Sequence, residues 1–243
     1  VLYDFPSPSC KTPEEGLAYT RMLAEKWGND PLVNILVQPH SLYTCSPALI
    51  QAAKKIADEY NLMLGIHLLE NQSELRELQE KFGEDGVPFL ERIGYLDERL
   101  HAFHCVCLSD YDIKLFAKYG CKVSHHPASN MKLASGISPV PDMLKAGITV
   151  GLGTDGCASN NTLDMIREMS TAAKLHKVAR LDPTVMDAKT VVRMATIEGA
   201  KALNMDHVTG SLEAGKKADI IIIGLDKPHL TPIYNEYSHL VYA

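Results

Sequence analysis

Short runs of β-branched and apolar residues alternate with amphipathic stretches along this chain, the pattern of parallel βαβ units. Five runs read as full strands: Val33 to Val37, Leu62 to His67, His101 to Cys107, Cys121 to Ser124 and Ile148 to Gly153. Val1 to Asp4 reads as the end of a sixth. Between them, helices are predicted over Pro13 to Trp27, Pro47 to Tyr60, Glu74 to Ile93, Asp110 to Tyr119 and Val140 to Ala146. Leu49, Ala52, Ala53 and Ile56 show the i, i+3, i+4 spacing that places apolar side chains on one helical face. Stop and start signals agree: Thr12 precedes Pro13 with Glu15 three positions on, and Gly120 and Gly147 follow helices. After Asp155 the pattern turns helical over Asn161 to Val178 and Ala188 to Leu203. A turn-rich stretch from Gly210 then leads into the apolar run Ala218 to Leu225, predicted as a short strand outside the main sheet.

Almost every predicted strand ends in a residue able to do chemistry: His40, His67 with Glu70, His104, His125 with His126, and Asp155. A single such histidine is ordinarily a core or loop residue with a satisfied hydrogen bond. The repetition changes the reading, because (β/α) barrels build their sites at the C-terminal ends of their strands. Hydrolytic metal chemistry needs neutral imidazoles and carboxylates as ligands, an open position for water and an acid/base nearby. His67, Glu70, His104 and Asp155 supply most of that set. In a regular strand His67 and Glu70 face opposite sides, since three is an odd step; both serve one site only if the strand stops near His67 and the loop turns Glu70 inward.

The 243 residues suit one large α/β domain or most of one, barrels of this type commonly taking ~250. Acidic and basic residues, 30 against 24, are spread along the chain without a basic stripe, which argues against nucleic acid as a partner. No apolar run approaches the ~20 residues of a membrane span, and Val1 to Phe5 lacks the basic start and cleavage site of a signal peptide. The chain therefore reads as cytoplasmic and not membrane-bound. Its six cysteines form no C-x-x-C pair, so they read as reduced thiols and not as a disulfide framework or a cysteine zinc site.

Longer motifs are more specific than any of these spacings. Gly65-Ile-His-Leu-Leu-Glu-Asn, Phe103-His-Cys-Val, Ser124-His-His-Pro-Ala-Ser-Asn-Met-Lys-Leu-Ala-Ser-Gly and Val150-Gly-Leu-Gly-Thr-Asp-Gly-Cys-Ala-Ser-Asn-Asn follow one another in order. With Pro39-His-Ser-Leu-Tyr-Thr-Cys-Ser-Pro and the segment Gly210 to Asp219, they resemble the successive strand-end motifs of the amidohydrolase superfamily. The similarity is closest to its 5-methylthioadenosine/S-adenosylhomocysteine deaminases and spans nearly the whole chain. The resemblance implies a (β/α)8 barrel lacking its first two strands over residues 1–205, followed by the start of a C-terminal β-sandwich segment over residues 206–243. It also implies one zinc, or sometimes iron, per subunit. His67 matches the third metal ligand of that family and Asp155 the fourth, with Asp155 also a second base. Glu70 matches the proton-shuttling glutamate, and His104 the histidine that orients the attacking hydroxide. His40 matches a histidine that contacts substrate, as Glu70 and His104 also would.

The implied reaction is hydrolytic deamination of an adenine nucleoside, with a small-molecule nucleoside as partner and self-association of the chain left open. One departure is large: the family's first two ligands form an H-x-H pair, and no H-x-H occurs in this sequence. Adjacent His125 and His126 cannot replace it, because neighbours on a strand point to opposite faces. A smaller departure places Leu69 before the glutamate and Asn71 after it. Guanine or cytosine deamination, chlorohydrolase-like chemistry on a related ring, and a non-catalytic scaffold barrel remain as alternatives.

Overall fold

The computed structural model describes residues 1–243, which divide into two compact units, 1–122 and 123–243. In the first unit the order is α1 (Pro13–Trp27), β1 (Leu36–Val37), α2 (Pro47–Tyr60), β2 (Met63–Leu68), α3 (Gln72–Phe82), α4 (Gly86–Arg92), β3 (Leu100–His104) and α5 (Asp110–Tyr119). β1 runs parallel to β2, and β2 parallel to β3, with Gly65 opposite His101, His67 opposite Phe103 and Leu68 opposite His104. Parallel neighbours need a crossover, and the intervening helices supply it. Leu64, Ile66, Leu68, Leu100 and Ala102, all fully buried, form the face of β2 and β3 that packs under helices. Gly65 and His67 lie on the other face.

Caps explain the helix boundaries. Ser46 and Thr12 accept N–H bonds in the first turns of α2 and α1, both of which have proline at the first helical position. Ser109 and Asp112 form a reciprocal capping box at α5. The helix predicted over Glu74 to Ile93 is two helices, because Gly83 takes the left-handed conformation (φ 71°) and ends α3 before Asp85 starts α4. The strand predicted from Val33 pairs only at Leu36 and Val37, since β2 begins at Met63, opposite Leu36. Leu2 makes a parallel bridge to Pro39, the remnant of the sixth strand read at Val1 to Asp4.

The second unit holds β4 (Lys122–His125), α6 (Pro127–Lys132), α7 (Val140–Lys145), β5 (Val150–Leu152), α8 (Cys157–Asn160), α9 (Met165–Arg180), α10 (Ala188–Ala195), α11 (Ile197–Ala202) and α12 (Glu236–Tyr242). β4 and β5 are parallel, with Ser124 opposite Gly151 and His125 opposite Leu152. The helix predicted from Asn161 starts instead at Met165, where the Asp164 side chain caps two N–H groups. The one predicted over Ala188 to Leu203 breaks at Thr196, whose backbone (φ −127°, ψ −101°) fits neither neighbour. The apolar run near Ala218 forms no strand. Ile220 to Ile223 are 45–95% exposed, because a strand needs a ladder partner for its backbone groups and none lies beside this segment.

His176 of α9 and His125 of β4 are buried and their Nε2 atoms lie 3.0 Å apart, so one ring donates and the other accepts. Burial first, and Arg180 second, lower the His176 pKa to about 4, with Asp142 opposing. A histidine lowered in the fold from its ordinary ~6.5 leaves the unfolded chain binding more protons between those values. Its contribution is therefore complete above about pH 6.5 and is lost as pH falls toward 4. Burial acts on His101 in the same direction, so the informative quantity is a difference. Between pH 7.5 and 4.5 the wild type should lose up to roughly 3 kcal/mol more stability than His176→Gln, read by urea denaturation at each pH.

Candidate active site

The first-unit site forms where β1 and β2 run out. The His40 carbonyl accepts two hydrogen bonds from His67, from its backbone N–H and from its ring Nδ1, both at 2.9 Å. A proton on Nδ1 places the ring's lone pair on Nε2. This is the arrangement found around histidine metal ligands, whose second nitrogen is held by a carbonyl or carboxylate. His40 is anchored in turn: its Nδ1 lies 2.8 Å from the Thr44 hydroxyl and 3.2 Å from that of Ser41. Its ring packs at 4.8 Å from Tyr3 and 4.7 Å from His67. Burial, with smaller contributions from His67, the N-terminal amine and His104, lowers the His40 pKa to about 4.

His104 should not be able to join them. It pairs with Leu68, whose side chain belongs to the helix-covered face, so strand alternation would send it under the helices. Instead His104 and Cys105 both adopt left-handed backbone, φ 68° and 50°. The strand ends there, short of the predicted Cys107, and the His104 ring stacks on that of His67 with centroids 5.5 Å apart and planes 26° from parallel. Non-glycine residues in this region cost on the order of 1–3 kcal/mol each and persist where the surroundings dictate them. Leu69 is a third case (φ 49°), one residue past the end of β2. The strand thus stops just after His67 and turns before Glu70. The Glu70 N–H donates to Glu74 Oε2 at 2.7 Å.

In the second unit Asp155 stands three residues beyond β5, again left-handed with φ 61°. Its Oδ2 accepts the Ser129 hydroxyl at 2.6 Å and its Oδ1 accepts the Gly156 N–H at 2.7 Å. The two long motifs are fastened to each other around it. Lys132 reaches the Ala158 carbonyl at 2.8 Å and the Asn161 amide oxygen at 2.5 Å. Asn160 Nδ2 donates to the Thr154 carbonyl at 2.7 Å and to Glu168 Oε1 at 2.6 Å, while Glu168 Oε2 accepts the Ala128 N–H at 3.3 Å. Glu168 is fully buried on α9, and burial, the largest influence, raises its pKa. His125 and His126 do face apart: His125 meets His176, whereas His126 Nε2 lies 3.1 Å from the Ser124 hydroxyl. A Cβ on Gly153 would come within 2.9 Å of the His126 ring, which is why a glycine stands there.

The first unit therefore brings the His40, His67 and His104 rings into contact through His67, and the second sets Asp155 in a braced loop. Sequence reading missed Glu74, Glu168, Asn160 and His176. The first three lie within or next to the motifs but carry no signal of burial, and His176 sits alone in a helix. No group of three or more His, Cys, Asp or Glu side chains is placed to hold a metal. The donors present are of the right kind, an imidazole with its tautomer fixed and an oriented carboxylate.

Residues 3–242 match the model of the amidohydrolase family, and the chain belongs to that family. Among curated relatives it is similar to 5-methylthioadenosine/S-adenosylhomocysteine deaminase 1 of Syntrophus aciditrophicus, with 62% identity over 243 residues that cover all of this chain and 55% of the relative. The corresponding deaminase of Thermococcus kodakarensis is 45% identical over 242 residues, 57% of its length. Among solved structures, an adenosine deaminase from Xanthomonas campestris with bound zinc superposes with a TM-score of 0.97 at 36% identity, covering 100% of this chain and 55% of that one. Atrazine chlorohydrolase from Arthrobacter aurescens complexed with zinc gives 0.91 at 26% identity, covering 98% and 53%. The fold is accordingly part of a (β/α)8 barrel of the metal-dependent hydrolase type, to which this chain contributes five strands. The chain spans about half the length of the relatives it matches.

Replacing Asn160 by alanine would leave a buried Glu168 oxygen without its donor and release the Thr154 carbonyl beside Asp155. A stability loss of about 1–3 kcal/mol is expected in urea denaturation.

Proposed function

We propose that this chain forms the greater part of the catalytic barrel of a hydrolytic deaminase of adenine nucleosides, converting 5-methylthioadenosine or S-adenosylhomocysteine to the inosine analogue and ammonia. The observation that carries the reading is the His40–His67–His104 arrangement. One carbonyl fixes the His67 tautomer and a left-handed strand end brings His104 onto its ring, and packing alone would call for neither. The deaminase names of the relatives that cover the whole chain favour this substrate class over triazine dechlorination, whose likeness is more distant.

His67 and Asp155 would hold the metal, zinc or alternatively iron, one per subunit, with further ligands from an H-x-H pair in the rest of the protein. A bound divalent ion would supply Lewis acidity, making water a usable nucleophile near neutral pH. Glu70 takes a proton from the attacking water and delivers it to purine N1 as the oxygen adds at C6. His104 donates to that oxygen and orients it, Asp155 acts as a second base, and the amino group leaves as ammonia with the transferred protons. His40 contacts the nucleoside. The middle of residues 206–243 begins a separate β segment, in which Ile220 to Ile223 would find the ladder partners they lack here, whereas α12 at its end packs on α9 and α10. A cytoplasmic enzyme with a small-molecule substrate, and neither nucleic acid nor membrane as partner, fits the composition; no helix is long and apolar enough to cross a membrane.

The test separates the proton carrier from the ligand in the intact protein. Glu70→Gln should keep its metal and lose roughly 100-fold to 10,000-fold in turnover of either nucleoside. His67→Ala should lose metal and activity together. Equal metal loss in both variants would make Glu70 a ligand, and near-normal deamination by Glu70→Gln would remove it from the mechanism.

A further inference from the structure

The turn after β2 holds a carboxyl group that this chemistry leaves unused. Glu74, in the first turn of α3, is only 2% exposed. Its Oε2 accepts the Glu70 N–H at 2.7 Å, and its Oε1 has no hydrogen-bond partner. Burying a carboxyl is costly, and capping α3 does not require it, because Asn71 already accepts the N–H groups of Ser73 and Glu74 at 3.0 Å each. In a capping box the acid at the third helical position closes on the N–H of the cap residue itself. Here it reaches one residue further back and takes hold of Glu70. The other side of the turn is fixed too: Leu69 is fully buried and left-handed, and its carbonyl accepts the Cys107 N–H at 2.9 Å. Burial, the largest influence, raises the Glu74 pKa to about 7, against the hydrogen bond from the Glu70 N–H.

We propose that Glu74 is a positioning residue for Glu70: its buried carboxyl clamps the Glu70 N–H and holds the turn in the one conformation that presents the Glu70 side chain to the nucleoside. The proposal rests on Glu70 as the proton carrier. A proton-transfer group must sit within hydrogen-bond reach of both atoms it serves, and a displacement of about 1 Å can cost on the order of 100-fold. Glu70 follows a strained residue in a turn, so its own strand cannot supply that precision.

Glu74→Met keeps length and volume without an acceptor, whereas Glu74→Gln restores an acceptor oxygen. In this chain, amide hydrogen exchange at Glu70 should quicken by roughly tenfold or more in Glu74→Met and stay within about threefold of wild type in Glu74→Gln. In the intact protein, Glu74→Met should lower kcat by roughly 10-fold to 100-fold with metal content unchanged and KM altered by less than about threefold, and Glu74→Gln should recover most of the loss. Unchanged exchange in Glu74→Met overturns the clamp. Faster exchange with undiminished kcat, metal loss in step with activity, or a Glu74→Gln variant as impaired as Glu74→Met overturns the positioning role. Wild-type turnover and the Glu70→Gln control report separately on the deaminase reading, while exchange at Glu70 reports on the clamp whatever that turnover is.

Discussion

A β-strand sends successive side chains to opposite faces, and in this chain that alternation is already committed. Leu64, Ile66, Leu68, Leu100 and Ala102 must point under the helices to make the core. Only the remaining positions can face a site, and His104 is not among them by register. The chain resolves the conflict by leaving strand geometry at chosen points, with left-handed backbone at Leu69, at His104 and Cys105, and at Asp155. None of these is glycine, so each carries a conformational cost that neighbouring packing must offset. Leu69, His104 and Cys105 are indeed among the most buried residues of the chain.

The same constraint explains why the motifs are long. Around the carboxylate of Asp155 the neighbouring residues brace both backbone and side chains: Ser129 on its oxygen, Lys132 across to Ala158 and Asn161, and Asn160 from the Thr154 carbonyl to Glu168. A strained residue in a mobile loop would relax. Tied to two helices and a neighbouring motif, it stays where it is. Glu74 gives Glu70 the same kind of support with a single buried carboxyl.

Much of this was legible in the sequence. α1 and α2 appear with the predicted boundaries because their caps and prolines are local signals. The strand-end placement of His40, His67 and His104 follows from the alternation of strand and helix. What could not be read depends on contacts distant in sequence. The end of β3 at His104 is set by two non-glycine residues at positive φ, which no propensity announces. Thr196 breaks a stretch whose apolar spacing alone predicts one helix. Glu168 and His176 look like ordinary helical polar residues until α9 buries them against Asn160 and His125.

The exposed run Ile220 to Ile223 has a colloidal consequence. Four consecutive isoleucines, with Asp219 the only charge beside them before Asp226, present an unpaired backbone edge of high strand propensity to solvent. Such an edge is a template for pairing with another copy of itself. In these 243 residues it is therefore a surface open to intermolecular pairing, which any covering by further chain would remove.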